Sequence, residues 1–480
     1  MNTYALDYET YYDKSCSIKT LGTLGYFSHP EFDAYMVSVV GDDGTSFVGH
    51  PKDFEWQKLE GQRVLSHNAS FDETLYLYGV EKGWWPKVDC AEWHCTADMA
   101  AYCGKPRALK GAIADVLGVA IDKSTRDNMS SKRWESMTED FQKEVMEYAL
   151  KDSEYCLELW DKLSPEWPEN ERLVSRMNRR ITQRGLPIDV ELLKQQKDAI
   201  TQKLFEVENT IPWINDAPIL SRKAFNDECR KMGIEPPASL AMADEEANEW
   251  IRIHGGKYKW VNSVRNYRRI NALKRKLEAF DYATMSDDRY YGGIMYFGAH
   301  TGRFSGSGGN LNLQNLPREE LFGVNLRSLI RPKPGNRLVV VDLSQIEVRT
   351  LCWLAGDQKS LDAIRECSDI YEAFGNRFGL WDSSKGELKS LDPKLRHKVK
   401  TMVLGCGYGA SAYRFASMSG MDLEEAKDAV GIYHDTMQKV VAYWNFLYRG
   451  LRPAHSKIYE YKIDLPSGRS LNYGILRTKL

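Results

Sequence analysis

At 480 residues the chain is too long for one ordinary domain, and two or three are expected. Its 42% hydrophobic and 28% charged residues are those of a soluble globular protein, and no apolar run approaches membrane-spanning length. A formal net charge of −2 excludes a wholly basic nucleic-acid coat protein.

The N-terminus MNTYALDYET has no basic region followed by an apolar stretch, so no secretory signal is expected. Residues 1 to about 160 alternate between strand-like and helix-like patterns, which predicts an α/β domain. Strands are expected in TYALDYET, in DAYMVSVVGDDGTSFVGH around its GDDG turn, and in QRVLSHNAS. The nine cysteines are scattered, as reduced thiols in a cytosol would be. Cys90, His94 and Cys95 lie close together in DCAEWHCTAD, but no second ligand pair stands at a zinc-type spacing. TEDFQKEVMEYALKDSEYCLELWDKL is a long amphipathic helix, and SPEWPEN, with two prolines, marks a domain boundary.

From 167 to about 300 the pattern is mostly helical. Between Lys257 and Lys276 it carries eight Lys or Arg and no acid, with Tyr and Trp interleaved. A solvated helix face and a contact with a phosphate backbone both fit that run, and the missing acids favour the second. TGRFSGSGGNLNLQNLPR is loop-like. In LVVVDLSQIEVRT the apolar residues Leu338–Val341 form a short buried-strand pattern that delivers Asp342 to the strand's end. Helices follow to about 455, then a turn-like LPSGRSLNY.

Asp7 and Glu9 stand two apart on a predicted strand, so both carboxylates project to one face, roughly 7 Å apart at Cα. Asp72 comes just after a strand end, and Tyr148 and Asp152 are spaced i, i+4 on the long helix and share a face. Singly, each of these acids reads as a surface residue. Together, Asp-x-Glu, Asn-x3-Asp and Tyr-x3-Asp resemble the three-part signature of the proofreading 3′-5′ exonucleases with an RNase H-like fold. That resemblance implies that Asp7, Glu9, Asp72 and Asp152 hold two Mg²⁺ or Mn²⁺ ions, and that Tyr148 and Glu9 orient the attacking water. Four carboxylates neutralise two hard cations, which suits an in-line displacement at phosphorus.

DLSQIEVR resembles motif A of the family A DNA polymerases, the group of bacterial polymerase I and many bacteriophage replicases. TGRFSGSGGNLNLQNLPR is similar to that family's primer-template segment, with Arg303, Gln314 and Asn315 at matching positions. RHKVKTMVLGCGYG has the Arg-x3-Lys-x7-Tyr-Gly spacing of motif B, which sets Arg396, Lys400 and Tyr408 along one side of one helix. The resemblance implies that Arg396 and Lys400 meet a triphosphate and that Tyr408 stacks near the nucleobase. It places Gln345 at the nucleotide, and Glu347 as the steric gate against a ribose 2′-hydroxyl. Leu343 and Leu404 depart from the residues common at their motif A and motif B positions.

The family's second palm acid sits in a His-Asp-Glu hairpin turn, motif C. His434-Asp435 is not that turn, because the apolar residues around it recur at helical intervals and it lies 27 residues after Tyr408. LPSGRSLNYGILRTKL resembles the segment that precedes motif C in phage members, so the partner of Asp342 is expected to be absent from this chain.

The resemblance therefore implies an RNase H-like exonuclease domain over 1–165 and an incomplete right-hand polymerase domain over 166–480. Its thumb would span about 170–300, its palm about 300–355 and its fingers about 356–455. Expected site residues are the carboxylate set with Tyr148, the palm metal ligand Asp342, and the nucleotide residues Gln345, Glu347, Arg396, Lys400 and Tyr408. Arg303, Gln314, Asn315, Arg268, Arg269 and Lys274 would bind DNA. Primer-template DNA and dNTPs are the expected partners; the missing palm acid implies either a truncated chain or a split one, and in the split case a second polypeptide carrying motif C is a further partner. The expected location is cytoplasmic, that of the host if the chain is phage-encoded. The competing expectations are a stand-alone 3′-5′ exonuclease with a silent polymerase half, and a non-catalytic DNA-binding factor.

Overall fold

A computed structural model describes residues 1–121, 124–241, 244–307, 311–451 and 458–477. Residues 308–310 of the glycine-rich loop and 478–480 of the terminal segment lie outside the described residues. The chain divides into two compact units, Met1–Leu338 and Val339–Leu480.

The first unit opens with strand β1 (Thr3–Glu9), then helix α1 (Ile18–Phe27) and the antiparallel strands β2 (Met36–Gly41) and β3 (Ser46–Gly49). Next come β4 (Arg63–Ser66), α2 (Ala69–Glu81), β5 (Glu92–Cys95), α3 (Thr96–Tyr102), α4 (Leu109–Val116), α5 (Ser124–Met129) and the long α6 (Glu139–Leu163). The strands order as β3-β2-β1-β4-β5, with β1 antiparallel to β2 and parallel to β4. This is the α/β layer that the alternating pattern predicts.

Strand alternation gives β1 two different faces. Tyr4, Leu6 and Tyr8 enter one apolar cluster, and the Tyr8 ring stacks on Trp85 at 5.6 Å between centroids. Ala5 enters another, with Leu65 and the α6 residues Cys156, Leu159 and Trp160. Helix α6 therefore lies over the face that carries Asp7 and Glu9.

Helix α7 (Glu169–Arg184) begins directly after Pro168 and stays tied to the sheet layer. Buried Arg179 pairs with Glu73 at 2.7 Å and donates to the Trp93 carbonyl. The helix ends at Gly185, whose φ of 68° and close contact with the Tyr291 ring leave no room for a Cβ. Strand β6 (Leu186–Pro187) follows, then α8 (Val190–Glu208), α9 (Arg222–Lys231), α10 (Glu245–His254) and α11 (Lys259–Ala283). The short strands β7 (Arg289–Tyr290), β8 (Gly293–Met295) and β9 (Ser305–Ser307) complete the unit. Helices α8 and α11 share a core in which Leu193, Ile200 and Leu204 meet Ile270, Leu273, Leu277 and Phe280.

The second unit is mostly helical: α12 (Ile346–Leu354), α13 (Gln358–Glu366), α14 (Ile370–Arg377), α15 (Leu388–Leu391), α16 (Pro393–Thr401), α17 (Ala412–Ser419), α18 (Leu423–Thr436) and α19 (Gln438–Leu451). The hairpin of β10 (Ile458–Asp464) and β11 (Ser470–Arg477) carries LPSGR as its turn. His434 and Asp435 sit in the last turn of α18.

One expectation fails here. The stretch before Asp342 is no buried strand: it lies outside every strand, and Val339, Val340 and Val341 are 78%, 89% and 82% exposed. A strand is a property of a pair, and among the described residues β10 and β11 pair with each other rather than with this segment. No helix among the described residues is long and apolar enough to cross a membrane.

Candidate functional site

The N-terminal acids meet at one cavity of about 920 Å³, lined by Asp7, Glu9, Asp72, Tyr148 and Asp152. Each arrives on a different kind of support. Asp7 and Glu9 project from the same face of β1. Asp72 sits in the first turn of α2, is buried, and accepts a hydrogen bond from the backbone amide of Tyr8 at 3.2 Å. Asn68 starts that helix in the left-handed region with φ 81°, a conformation Asn tolerates better than most residues. This gives the Asn of the Asn-x3-Asp pattern a backbone role.

Tyr148 and Asp152 are positioned by the residues that follow them. Buried Ser38 of β2 donates to the Ala149 carbonyl at 2.7 Å and pairs with the Ser153 hydroxyl at 2.7 Å. Small side chains at 149 and 153 let α6 press against the sheet, which fixes Tyr148 and Asp152 on the adjoining face. Their i, i+4 spacing also lets the Tyr148 hydroxyl bond Asp152.

The electrostatics are those of like charges held out of water. Burial, then the neighbouring Asp72, Glu9 and Asp152, push Asp7 well above the usual carboxylate range. Burial and Asp152 raise Glu9 to about 8, and burial raises Asp72 to about 8 despite the Tyr8 amide. The Tyr148 hydroxyl is raised by burial and by Asp152 and Glu9. Arg126 on α5 lines the same cavity, and no sequence pattern singled it out. Burial opposes its charge, but Tyr148, Glu9, Tyr12 and Asp7 outweigh that and raise it.

The donors suit hard divalent cations, which take carboxylate oxygens, and the mutual repulsion of the acids is what such cations would relieve. Among the described residues no three His, Cys, Asp or Glu side chains converge closely enough to share one ion. Burial pushes the Cys90 and Cys95 thiols up to about 12 and about 11. His94 stacks on Trp160, with centroids 5.0 Å apart, and its Nε2 meets Glu92 at 3.1 Å.

Arg268, Arg269 and Lys274 lie on α11, where the apolar side of the basic run is spent on the core with α8. Arg268 is exposed, Arg269 stacks over Phe322 at 5.0 Å, and Lys274 reaches Glu278 at 3.9 Å. Gln314 and Asn315 sit exposed on a turn capped by Asn312, and Lys276 donates to the Asn315 carbonyl at 3.4 Å. Arg303 is exposed in the same unit.

In the second unit Asp342 is exposed, and Gln345 starts α12 with φ 44°. Glu347 lies in the first turn of α12 and accepts a hydrogen bond from the Tyr408 hydroxyl, which brings two predicted nucleotide residues together. Arg396 pairs with Asp369 at 2.6 Å and lies over the Tyr371 ring at 5.1 Å, while Lys400, one turn on, is exposed. Tyr408 departs from the one-helix expectation. Helix α16 passes into a π-helical segment, Met402–Cys406, which includes Leu404, and Tyr408 falls in the turn beyond it. The wider π turn rotates Tyr408 away from the register that α-helical spacing predicts.

The family model for DNA polymerase family A matches residues 190–458. The chain belongs to DNA polymerase family A. It is 24% identical to the DNA polymerase of Bacillus phage SP02, in an alignment covering 98% of this chain and 82% of that protein. It is 26% identical to the DNA polymerase I of Chloroflexus aurantiacus over 77% of this chain and 40% of the relative. With the thermostable DNA polymerase I of Thermus filiformis the figures are 27%, 63% and 37%. The chain thus spans about two fifths of the length of these bacterial relatives. A solved structure described as the POL domain of Pol1 from M. smegmatis in complex with DNA primer-template and dNTP matches with a TM-score of 0.67. That match covers 98% of this chain and 77% of the other at 18% identity, so the likeness is one of fold. The family match begins at residue 190, after the carboxylate cavity's acids.

Proposed function

We propose that this chain carries the 3′-5′ proofreading exonuclease and polymerase elements of a phage-type DNA polymerase, with a palm that is either truncated or completed by a second polypeptide. The exonuclease domain is assigned to 1–165 and the polymerase domain to 166–480, with thumb, palm and fingers in that order. One observation carries the exonuclease reading: three separate elements bring Asp7, Glu9, Asp72, Tyr148 and Asp152 to one cavity.

Mg²⁺ or Mn²⁺ held by Asp7, Glu9, Asp72 and Asp152 would supply charge stabilisation for the attacking and leaving oxygens. Glu9 and Tyr148, facing the same cavity, orient the water that attacks the terminal phosphodiester. The Tyr8 amide and the Ser38 pair keep the acids in place, so little ordering is left for the reaction itself. In the polymerase half Asp342 serves as a metal ligand. Glu347, Gln345, Arg396, Lys400 and Tyr408 receive the dNTP, and Arg303, Gln314, Asn315 and the basic face of α11 receive primer-template DNA. The high exposure of Val339–Val341 supports completion of the palm by a strand from elsewhere. The exposed position of Asp342 also fits a second reading, a 3′-5′ exonuclease with a silent polymerase half. A cytoplasmic location, the host's for a phage protein, follows from either reading.

The test of the exonuclease is digestion of single-stranded DNA labelled at its 5′ end, with Mg²⁺ present. Wild-type chain is expected to give a ladder shortened from the 3′ end, and Asp7→Ala with Glu9→Ala is expected to abolish it. Losing a charge-stabilising group at such a site costs about 10²-fold or more. Undiminished digestion by the double variant would sink the assignment.

A further inference from the structure

We propose that Arg126 contacts the scissile phosphodiester in the carboxylate cavity, an assignment that rests on the exonuclease reading above. Arg126 lines the cavity together with all four acids and Tyr148. Its helix is held at two points. Met129 is buried among Tyr35, Met36, Val145 and Ala149, while the Tyr12 hydroxyl donates to the Arg126 carbonyl at 2.9 Å. Ser131 returns the contact by donating its amide to the Tyr12 carbonyl at 2.8 Å. Tyr12 lies three residues beyond Glu9, so these contacts fasten α5 to the segment that continues the acid-bearing strand.

Charge counting assigns the role. Four carboxylates balance two divalent cations and leave the single negative charge of a bound phosphodiester without a partner. One guanidinium supplies it. The other guanidinium on the cavity wall, Arg107, is committed to Asp98 at 2.6 Å and to the Tyr296 carbonyl. Lys19 and Lys110 also line the wall, but an ammonium lacks the planar fork that grips two phosphate oxygens at once. In the reaction a water oxygen bonds to phosphorus and the bond from phosphorus to the 3′-oxygen breaks. A proton from the water ends on that oxygen, giving a nucleoside 5′-monophosphate and a strand with a new 3′-hydroxyl. Negative charge grows on the non-bridging oxygens as the bond forms, so a donor fixed beside them acts most strongly there.

The experiment uses the full chain and a fluorescent single-stranded oligonucleotide. In EDTA, where nothing is cleaved, anisotropy titrations over a range of NaCl give affinity and its salt slope. Arg126→Ala is expected to weaken binding about 10-fold and to lower the slope by roughly 0.7, the value for one phosphate contact on a single strand. With Mg²⁺, kcat is expected to fall about 10²-fold while KM changes far less. Arg126→Lys keeps the charge and is expected to keep the slope while losing most of the rate, which separates the fork from mere folding. Wild-type chain that leaves the oligonucleotide intact overturns the exonuclease reading and this one with it. Digestion by wild type with an equal rate from Arg126→Ala overturns this one alone. A rate loss with an unchanged slope in EDTA also overturns it, by making Arg126 structural.

Discussion

The backbone amide of Tyr8 donates to Oδ1 of Asp72 at 3.2 Å, so the residue between the two strand acids holds the third. Tyr8 can do this because its own side chain is turned to the opposite face, packed against Trp56 and Trp85. One apolar anchor thus registers Asp7, Glu9 and Asp72 against each other, and α6 adds Asp152 through the Ser38 contacts.

That arrangement costs stability without cations. Asp72 titrates at about 8 in the folded chain, against an ordinary value near 4 when unfolded. Between those limits the native state keeps a proton that the unfolded state has released, so this group's contribution to stability falls as pH rises through the window. Asp72→Asn keeps an acceptor for the Tyr8 amide and removes the titration. In urea denaturation at pH 7 with EDTA, the variant is expected to be more stable by about 1–3 kcal/mol, and less pH-dependent. Mg²⁺ at pH 8 should raise the Tm of the wild type and leave that of Asp72→Asn nearly unmoved. Equal stability of both proteins in EDTA would contradict the argument.

His94 gives the opposite sign. Burial holds it down to about 4, although Glu92 favours the proton. Its ordinary value is about 6.5, so below that pH the unfolded state gains a proton that the folded state refuses. Stability is therefore lost as pH falls from about 6.5 to about 4, by up to roughly 3 kcal/mol from this group. His94→Phe retains the ring against Trp160 and is expected to flatten that acid limb in urea titrations across the window. A limb of unchanged steepness would assign acid sensitivity to other groups.

The carboxylate pairs were legible because each is local: strand alternation aligns Asp7 with Glu9, and helical spacing aligns Tyr148 with Asp152. Bringing the two pairs together was not local, and only the resemblance suggested it. Arg126 had no local signal, since it reaches the cavity through the burial of Met129 and the Tyr12 contact, both tertiary. The run Leu338–Val341 misled for the same reason in reverse. Its composition fits a strand, yet pairing depends on neighbours that the run does not encode. Tyr408 was displaced by a π segment that a seven-residue spacing does not reveal.

The basic run divides its residues by role. Arg268 is exposed on α11, whereas Arg269 is stacked on Phe322 and Lys274 is near Glu278. Replacing all three by Ala is expected to flatten the salt dependence of DNA affinity by roughly one unit per lost phosphate contact. Arg268→Ala alone should account for the largest share, and Arg269→Ala should also lower thermal stability through the lost ring contact. A triple variant with the wild-type slope returns α11 to a solvated face.

The polymerase half is tested at Asp342. Among the described residues no strand pairs with the exposed valines ahead of it, so Asp342 stands on a segment without strand support. Two-metal chemistry asks for more than one fixed carboxylate, so this chain alone is expected to bind primer-template and dNTP through Arg396, Lys400 and Tyr408 yet extend primers negligibly. Extension is measured in the Asp7→Ala, Glu9→Ala background, so that degradation does not mask synthesis. Adding a polypeptide with a His-Asp-Glu hairpin should restore synthesis, and Asp342→Ala should remove it again, a loss of several kcal/mol in barrier height. Hydrogen exchange gives an independent reading: the amides of Val339–Val341 should gain protection when the hairpin is added, as strand pairing requires. Restored synthesis without that protection would place the hairpin elsewhere. Robust synthesis by the chain alone would show that the palm needs no added strand, and Asp435→Ala would then tell whether the acid in α18 supplies the second ligand.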